Sequence, residues 1–501
     1  NGTTSQIASV AGDISITGTT TGTGAGNDGV DVGDSITLPI IATNAASITI
    51  TGTGDGSDAA VQVDSPINSA SGTVTITALN GGSTTDDITF GVDGDITSAS
   101  GTITINADTA GTTADVIMAD GAVINAGTGL VDIDADQDVL LGAVTTSNTV
   151  EVTSAAGAIV DNTAAEAANI TGSTLNLDAV TGIGNGATLG DAADIDINGA
   201  ILSAVNSTSG NINITEVDSI ALDDITNVGR PVIIDAGAAI TDGNGADTIN
   251  ILASTAELRA VTGIGSGLAG DAGDIDSTIT GDLAAQTDTG NINLHNVGSL
   301  TIGAPGTISG VEILDSADNN NGEDITILAA SPLTINSPVV DNAGGDIVLT
   351  AADDGGSDDD LTISANVTAL GGNGGIDLNA GTDLIINNDV TVSTVGSGAI
   401  TGDAVRSIEI MRNAGTTTVQ TADGSIALTA NDAVSAVAGD FHGIELEGAL
   451  IQTANGAINL VGRGGNNTSG TPSESGWTKY WYLPLETISD SASEARSSSS
   501  P

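Results

Sequence analysis

Aromatic side chains are scarce in this 501-residue chain, which has only two Phe, two Tyr and two Trp. Phe90 and Phe441 are the only two that precede residue 477. A compact domain of this length normally fills its centre with rings, because each ring buries a large apolar area. The apolar residues here are Ile, Val, Leu and Ala, accompanied by 69 Gly and many Thr, Asn and Asp. This mixture favours short β-strands joined by turns over a large globular core.

Basic residues are almost as rare. Seven Lys and Arg oppose 64 Asp and Glu, for a formal net charge of −57, and no basic residue precedes Arg230. Phosphate binding requires clustered positive charge, so we expect no nucleic-acid partner. Anionic membrane surfaces are disfavoured for the same reason. Concentrated negative charge destabilises a compact chain, so we expect an extended shape, bound divalent cations or both.

Cysteine is absent, which excludes disulfides, thiolate metal sites and covalently attached c-type haem. The sequence has no P-loop, so we expect no nucleotide. It also has no run of about 18 apolar residues, so no transmembrane helix is predicted. The chain starts at Asn1 without a Met or a signal-peptide pattern, which is typical of a processed secreted product or an excised segment. We therefore expect export, with a secreted, extracellular or cell-surface location.

One pattern recurs along the chain: Gly, a polar residue, and then apolar residues at alternate positions. Alternation with period two is typical of a strand that has one buried face and one wet face. The pattern therefore predicts many short strands, each started by a turn. Seven examples begin at Gly12, Gly72, Gly101, Gly210, Gly290, Gly345 and Gly424.

The spacing of the strand starts predicts how the strands stack. The starts at Val74, Ile103 and Val131 follow one another at nearly equal intervals, and so do those at Ile347, Ile376, Ile400 and Ile426. A longer repeat is also present: STLNLDAVTGIGNG at 173–186 matches STAELRAVTGIGSG at 254–267 in ten of fourteen positions, at an offset of 81. The similarity continues at an offset of 80, from GDAADID at 190–196 to GDAGDID at 270–276.

These periods predict an all-β solenoid over residues 1–465, in which each coil buries its apolar face against the next. The fold class is a single-stranded parallel β-helix with two or three strands per coil. At roughly 25 residues per coil it has about 18 to 20 coils, and the block of about 80 residues corresponds to about three of them. Residues 466–501 form a Ser/Gly/Pro-rich linker and an aromatic C-terminal segment.

The strand starts of the GDITL type, the run at residues 124–161 and the AVTGIGNG element resemble the repeat regions of giant bacterial exoproteins related to filamentous haemagglutinin. The resemblance covers roughly residues 10 to 465 and depends on many weak repeats. It implies a right-handed β-helix, export from a Gram-negative-type cell, and adhesive or structural work at the cell surface. The sequence departs from that family in having no N-terminal two-partner secretion domain pattern.

Catalytic motifs are absent from the sequence: we find no GxSxG elbow and no HExxH pair. His295 and His442 have no Ser or Cys nucleophile motif beside them, so we expect both to be turn or surface residues. Polysaccharide lyases share the β-helix and use a basic residue near carboxylate-bound Ca²⁺, but most basic residues here stand far from an acidic cluster. We predict that the protein is not an enzyme. The alternative is a carbohydrate-binding or polysaccharide-cleaving β-helix protein, for which glycans are the partner.

Calcium is the cofactor that the sequence favours. Asp132, Asp134, Asp136 and Asp138 alternate along the chain, so a strand would present their carboxylates on one face, and hard oxygen ligands suit Ca²⁺. The competing interpretation is a solvated acidic strand edge. Three further aspartates, at 191, 194 and 196, recur at 271, 274 and 276, which either cation binding or turn geometry explains.

Four of the six aromatic residues lie together in GWTKYWYLPLE, at Trp477, Tyr480, Trp481 and Tyr482. Trp and Tyr often anchor interfaces, so this segment is predicted either to cap the last coil or to dock into a neighbouring subunit. The function predicted is a secreted structural protein that forms or contributes to an extracellular filament, sheath, surface layer or adhesin stalk. Its expected partners are copies of itself or other cell-surface components.

Overall fold

The computed structural model describes residues 6–465, apart from 21–26, 34–38, 55–58, 80–86, 108–112, 191, 246–247, 268–269, 271, 318–320, 412–415, 434–436 and 438, together with the backbone of residues 488–489. The chain divides into two compact units, one of residues 1–244 and 250–254 and the other of residues 245–249 and 255–501. Every regular element in the described ranges is a strand. These ranges contain no helix that could span a membrane.

The first unit is built from short strands whose apolar residues alternate with polar ones. In chain order they are β1 (Ile7–Ser9), β2 (Ile14–Thr19), β3 (Val30–Val32), β4 (Ile40–Ala42), β5 (Ile48–Thr53), β6 (Val61–Val63), β7 (Ile67–Ser69), β8 (Val74–Leu79), β9 (Ile88–Phe90), β10 (Ile96–Ser98), β11 (Ile103–Ala107), β12 (Val116–Met118), β13 (Val123–Gly127), β14 (Val131–Ala135), β15 (Val139–Leu141), β16 (Ala143–Thr146), β17 (Thr149–Ser154), β18 (Ile159–Asp161), β19 (Ile170–Ala179), β20 (Ile195–Asn206), β21 (Ile212–Glu216), β22 (Ile220–Ala236), β23 (Ile240–Asp242) and β24 (Ile251–Ala260), which continues into the second unit.

The strands of the first unit stack with a period of three. Each strand from β1 to β15 pairs in parallel with the third strand after it. From β1 to β18 one coil therefore contains three strands, arranged in three stacks, whereas the longer β19 pairs with both β16 and β17. Along one of these stacks, register links nine successive levels from Ile14 to Leu222.

The second unit repeats this arrangement. Its strands are β25 (Ile275–Ile279), β26 (Asp282–Thr287), β27 (Ile292–Asn296), β28 (Leu300–Ile302), β29 (Val311–Ile313), β30 (Ile325–Ala329), β31 (Leu333–Ile335), β32 (Val339–Asp341), β33 (Ile347–Ala351), β34 (Leu361–Ile363), β35 (Val367–Ala369), β36 (Ile376–Ala380), β37 (Asp383–Ile386), β38 (Thr391–Thr394), β39 (Ile400–Ala404), β40 (Ser407–Met411), β41 (Thr418–Thr421), β42 (Ile426–Ala430), β43 (Ile444–Glu447), β44 (Leu450–Thr453), β45 (Ile458–Gly462) and β46 (Ile488–Ser489). Each strand from β27 to β42 pairs in parallel with the third strand after it. Strand β46 pairs antiparallel with β44.

The core of each unit consists of columns of inward β-branched and aliphatic side chains. One column of the second unit contains isoleucine at all eight levels that register links, from Ile264 to Ile458, and each of these residues is at most 4% exposed. Branching at Cβ suits this pleated surface. No ring is needed to fill a column of this width.

The structure confirms the parallel β-solenoid predicted from the sequence. All five intervals measured between strand starts are register pairs, namely Val74–Ile103, Ile103–Val131, Ile347–Ile376, Ile376–Ile400 and Ile400–Ile426. The seven residues predicted to begin strands after a Gly and a polar residue are the first residues of β2, β8, β11, β21, β27, β33 and β42. The handedness of the coils stays a prediction.

Candidate functional site

A glycine loop in the second unit covers the outer face of the strand that follows it. Ile264 bridges Ile292, and the chain then passes close to β25. Gly265 has a φ of +69°, and a Cβ atom there would lie 3.2 Å from Cα of Asp274. Glycine adopts this conformation without strain and permits the close approach. Asp274 and Asp276 are each only 1% exposed.

Asp274, Asp276 and His295 come together beneath this loop, and we call them the His295 cluster. Their ligand atoms, one from each residue, all lie within 4.8 Å of one another. Register places Asp276 of β25 opposite His295 of β27, and Nδ1 of His295 lies 2.7 Å from Oδ1 of Asp276. The imidazole is 19% exposed, so solvent reaches the cluster from its side.

The two oxygens of Asp274 have different surroundings. Oδ2 accepts a hydrogen bond from the backbone N–H of Gly270. Oδ1 is buried and accepts no hydrogen bond. Burial raises the pKa of Asp274, against the lowering effect of the Gly270 hydrogen bond, and repulsion from Asp276 raises it further. The cluster thus combines a buried, incompletely satisfied carboxylate with a second carboxylate and an imidazole.

The first unit has a related group, Glu166, Asp194 and Asp196, which we call the Glu166 cluster. Asp194 is 1% and Asp196 is 6% exposed, whereas Glu166 lies at the surface. Thr215 donates its hydroxyl to Oδ2 of Asp194 at 2.6 Å, and Asn169 accepts the backbone N–H of Asp196 at 3.0 Å. Burial raises the pKa of Asp196 to about 6, with added repulsion from Asp194, Glu166 and Asp161.

The two aspartates of each cluster occupy equivalent positions of the duplicated block, whereas Glu166 and His295 do not correspond. The sequence offset of 80 that marks the repeat relates Asp194 and Asp196 to Asp274 and Asp276, and it also relates Thr215 to His295. In the first unit Gly184, at a φ of +71°, lies over Asp194 in the same way, since a Cβ atom there would be 3.2 Å from Cα of Asp194. The repeat therefore preserves the loop and both aspartates, while the register partner of the second aspartate changes from Thr215 to His295.

The four aspartates predicted to bind calcium do not all lie on one strand. Asp132 and Asp134 project outward from β14, which ends at Ala135, so Asp136 and Asp138 belong to the turn that follows. Burial raises the pKa of Asp132 to about 6, with repulsion from Asp134 and Glu151. Register places Glu151 directly beside Asp132 on the next coil.

Asp138 has a structural role in a ladder of turns. Its Oδ1 accepts the backbone N–H of Ala158 on the next coil at 2.7 Å. On the preceding coils, Asp115 accepts the N–H of Asp138 at 2.8 Å, and Asp87 accepts the N–H of Asp115 at 3.0 Å. These carboxylates bind amides that the turns would otherwise leave without partners.

One described basic residue, Arg406, is paired with a buried carboxylate and lies near two further acids, Asp360 and Glu409. Arg406 binds Asp383 through Nε at 2.8 Å and through a second nitrogen, and Asp383 is only 3% exposed. A shallow groove of about 270 Å³ is lined by small and acidic residues, including Asp353, Asp403 and Asp432, with no aromatic residue on which a sugar could stack. The predicted interface residues Trp477, Tyr480, Trp481 and Tyr482 lie outside the described residues.

Comparison of the chain with protein-family models, with curated proteins and with solved structures gives no match. We therefore infer the function from the geometry of this chain and from the repeats in its sequence.

The sequence predicts His295 to be a turn or surface residue and so does not indicate the His295 cluster. The structure places His295 on β27, whereas His442 is an exposed residue 3.2 Å from Glu445. The signal that was present is the duplicated block, in which His295 replaces Thr215 at a fixed distance from two repeated aspartates. Only the register of β25 and β27 shows that these residues touch.

Proposed function

We propose that the protein is a secreted, non-enzymatic structural β-solenoid that forms or contributes to an extracellular filament, sheath, surface layer or adhesin stalk. The observation that carries this proposal is the register of the coils, in which strands from β1 to β18 and from β27 to β45 follow one three-strand pattern within their units. Most of the length of such a fold consists of regularly stacked coils. The resemblance of the sequence to haemagglutinin-related exoproteins supports export and an adhesive or structural role at the cell surface.

Association of copies end to end is part of the proposal, because an exposed strand edge pairs readily with another chain. Among the described residues, β43 and β45 pair on one side only, with β40 and β42. Ile444 and Leu446 of β43 are half-buried, whereas their register partners Ile408 and Ile410 are fully buried. This last coil offers backbone groups and apolar side chains for a head-to-tail contact, which extends a filament without closing.

The aromatic segment acts in this contact. Trp477, Tyr480, Trp481 and Tyr482 are the interface residues we propose, because rings contribute large buried areas at the centres of interfaces. The chain beyond them returns to the solenoid, where β46 pairs with β44. The competing role of the same residues is a cap that covers the last coil of their own chain.

Electron microscopy and size-exclusion chromatography of the full chain test the proposal. We expect filaments or larger particles from the wild type, and folded monomers when all four aromatic residues are replaced by Ala. Deletion of residues 490–501 alone is the matched control and should assemble normally. Loss of folding in the four-residue variant would instead indicate the cap, and monodisperse single chains from the wild type would contradict assembly.

Calcium binding at Asp132, Asp134, Asp136 and Asp138 remains part of the proposal, because a net charge of −57 requires counter-ions as copies approach. Isothermal titration with Ca²⁺ should show weaker binding for the double variant D132N/D134N than for the wild type. The variant D93N/D120N removes the same number of charges from two exposed positions. Equal losses in both variants would show that Ca²⁺ responds to overall charge and not to this site.

A further inference from the structure

The His295 cluster has features that a purely structural hydrogen-bond network does not need. Its two carboxylates belong to Asp274 and Asp276, and each of these residues is only 1% exposed. Like charges so close together disfavour the folded state unless a cation or a proton lies between them. One imidazole nitrogen, Nδ1 of His295, reaches only one of the two carboxylates directly, at Oδ1 of Asp276.

The second observation is the buried oxygen of Asp274. Its Oδ1 accepts no hydrogen bond, although the residue is almost completely removed from water. A buried acceptor without a partner is destabilising, and more so when it is charged. Such atoms are rare in folded proteins. A positive ion beside Asp274 would supply the partner that this oxygen lacks.

From this geometry we infer that Asp274, Asp276 and His295 bind one divalent transition-metal ion of the zinc type. Imidazole nitrogen and carboxylate oxygen together suit Zn²⁺ and Co²⁺, whereas Ca²⁺ and Mg²⁺ prefer sets made of oxygen alone. The ion takes the place of the proton between Nδ1 and Oδ1 of Asp276, and the ring keeps a proton on Nε2. The inference goes beyond the proposed structural function and does not depend on it.

The chain contains its own control for this inference. In the duplicated block, Thr215 stands where the second copy has His295, and it donates its hydroxyl to Asp194. The substitution His295→Thr therefore introduces a residue that the same loop and strand already accommodate in the first unit. The Glu166 cluster, which lacks an imidazole, should not bind zinc-type ions tightly.

Metal titration of the full chain tests the inference. Protein without a histidine tag is treated with chelator and then titrated with Zn²⁺ or Co²⁺ in excess Mg²⁺, which occupies non-specific acidic sites. We expect one tight Zn²⁺ per chain and a visible d–d band with Co²⁺. Both H295T and D274N should weaken Zn²⁺ binding by at least about tenfold, and D194N in the Glu166 cluster should leave it unchanged.

A second measurement uses the wild type and so does not depend on the folding of a variant. The chain has two histidines, His295 and His442, so the ring nitrogens give few NMR signals, and the variant H442N assigns them. Saturating Zn²⁺ should shift the ring nitrogens of His295 and not those of His442. Unshifted ring nitrogens of His295, or equal Zn²⁺ affinity in the wild type and H295T, would overturn the inference. His295 and Asp276 would then be a hydrogen-bonded pair without a metal.

Discussion

Glu216 and Asn296 occupy equivalent positions in the two copies of the duplicated block, and each binds the corresponding backbone amide. Oε2 of Glu216 accepts the N–H of Gly199 at 2.9 Å, and Oδ1 of Asn296 accepts the N–H of Ile279 at 2.7 Å. The same hydrogen bond is thus made by a buried acid in one unit and by a neutral amide in the other. The difference has a consequence for stability.

Glu216→Gln should stabilise the protein at alkaline pH. Glu216 is 1% exposed, and burial raises its pKa to about 7. The folded state therefore keeps a proton that the unfolded chain releases near its ordinary, lower pKa, so the free energy of unfolding falls as pH rises through this window. Urea midpoints at pH 5 and pH 8 should show a gain of about 1 to 2 kcal/mol for the variant at pH 8 only.

The exposed Glu447 provides the control for this experiment. Glu447→Gln should change the free energy of unfolding by less than about 0.5 kcal/mol at either pH. Curves for the wild type and Glu216→Gln that stay parallel from pH 5 to pH 8 would contradict the role assigned to Glu216.

Gly424→Ala should be strongly destabilising, because the turns of successive coils stack with their backbones in contact. A Cβ atom on Gly424 would lie 1.8 Å from the carbonyl oxygen of Gly398, and one on Gly456 would lie 1.8 Å from the carbonyl oxygen of Gly424. Relief of such a clash requires the coils to separate. We therefore expect the free energy of unfolding to fall by about 3 kcal/mol or more. Thermal unfolding followed by circular dichroism measures it.

Gly12→Ala is the matched control, since Gly12 also precedes a polar residue and a strand start. A Cβ atom there would meet only Oγ of Ser9, at 3.6 Å. The midpoint of this variant should stay near that of the wild type. Equal midpoints for both variants would show that the stacked glycines adjust without cost.

Ile103→Ala should destabilise the first unit through loss of packing in a core column. Ile103 is fully buried and lies between Val74 and Val131 in register, so its replacement leaves a cavity and costs about 2 to 5 kcal/mol. Thr104→Ala alters the outward neighbour on the same strand and should cost less than about 0.5 kcal/mol. Urea unfolding compares the two, and similar losses would contradict the inward and outward assignment.

The fold could be predicted because the same few residue types recur at the same place in each coil. Intervals such as that from Val74 to Ile103 are visible in the sequence, and they become register pairs because any slip by one residue would turn the apolar column outward. The glycines before the strand starts could be recognised as turn residues. Their stacking against one another, as at Gly398 and Gly424, depends on contacts between coils that sequence does not specify.

The candidate site was less predictable because it depends on register across a loop. Asp276 and His295 lie on different strands, and the apolar alternation is kept whether Ile275 lies beside Ile292 or beside Leu294, its actual partner. The run from Asp132 to Asp138 shows the opposite problem. The alternating aspartates predict that all four carboxylates lie on one face of a strand. Strand β14 ends at Ala135, however, and in the turn that follows Asp138 accepts the backbone N–H of Ala158 on the next coil.

Glu151→Gln should relieve repulsion on the outer face of the first unit. Asp132 and Glu151 are direct register partners on adjacent coils, and like charges in such pairs are destabilising. Burial, together with this repulsion and that from Asp134, raises the pKa of Asp132 to about 6, so Asp132 becomes charged mainly above that pH. The variant should therefore be more stable than the wild type by about 0.5 kcal/mol at pH 7.5, with a smaller difference at pH 5.

Urea midpoints at the two pH values measure this difference, and the pH 5 comparison serves as the internal control. Because both residues are partly open to solvent, high salt should reduce the gain at pH 7.5 by screening the two carboxylates. A gain that is equal at pH 5 and pH 7.5, or one that salt does not change, would show that Gln acts through packing or strand propensity. Removal of charge repulsion would then not be the cause.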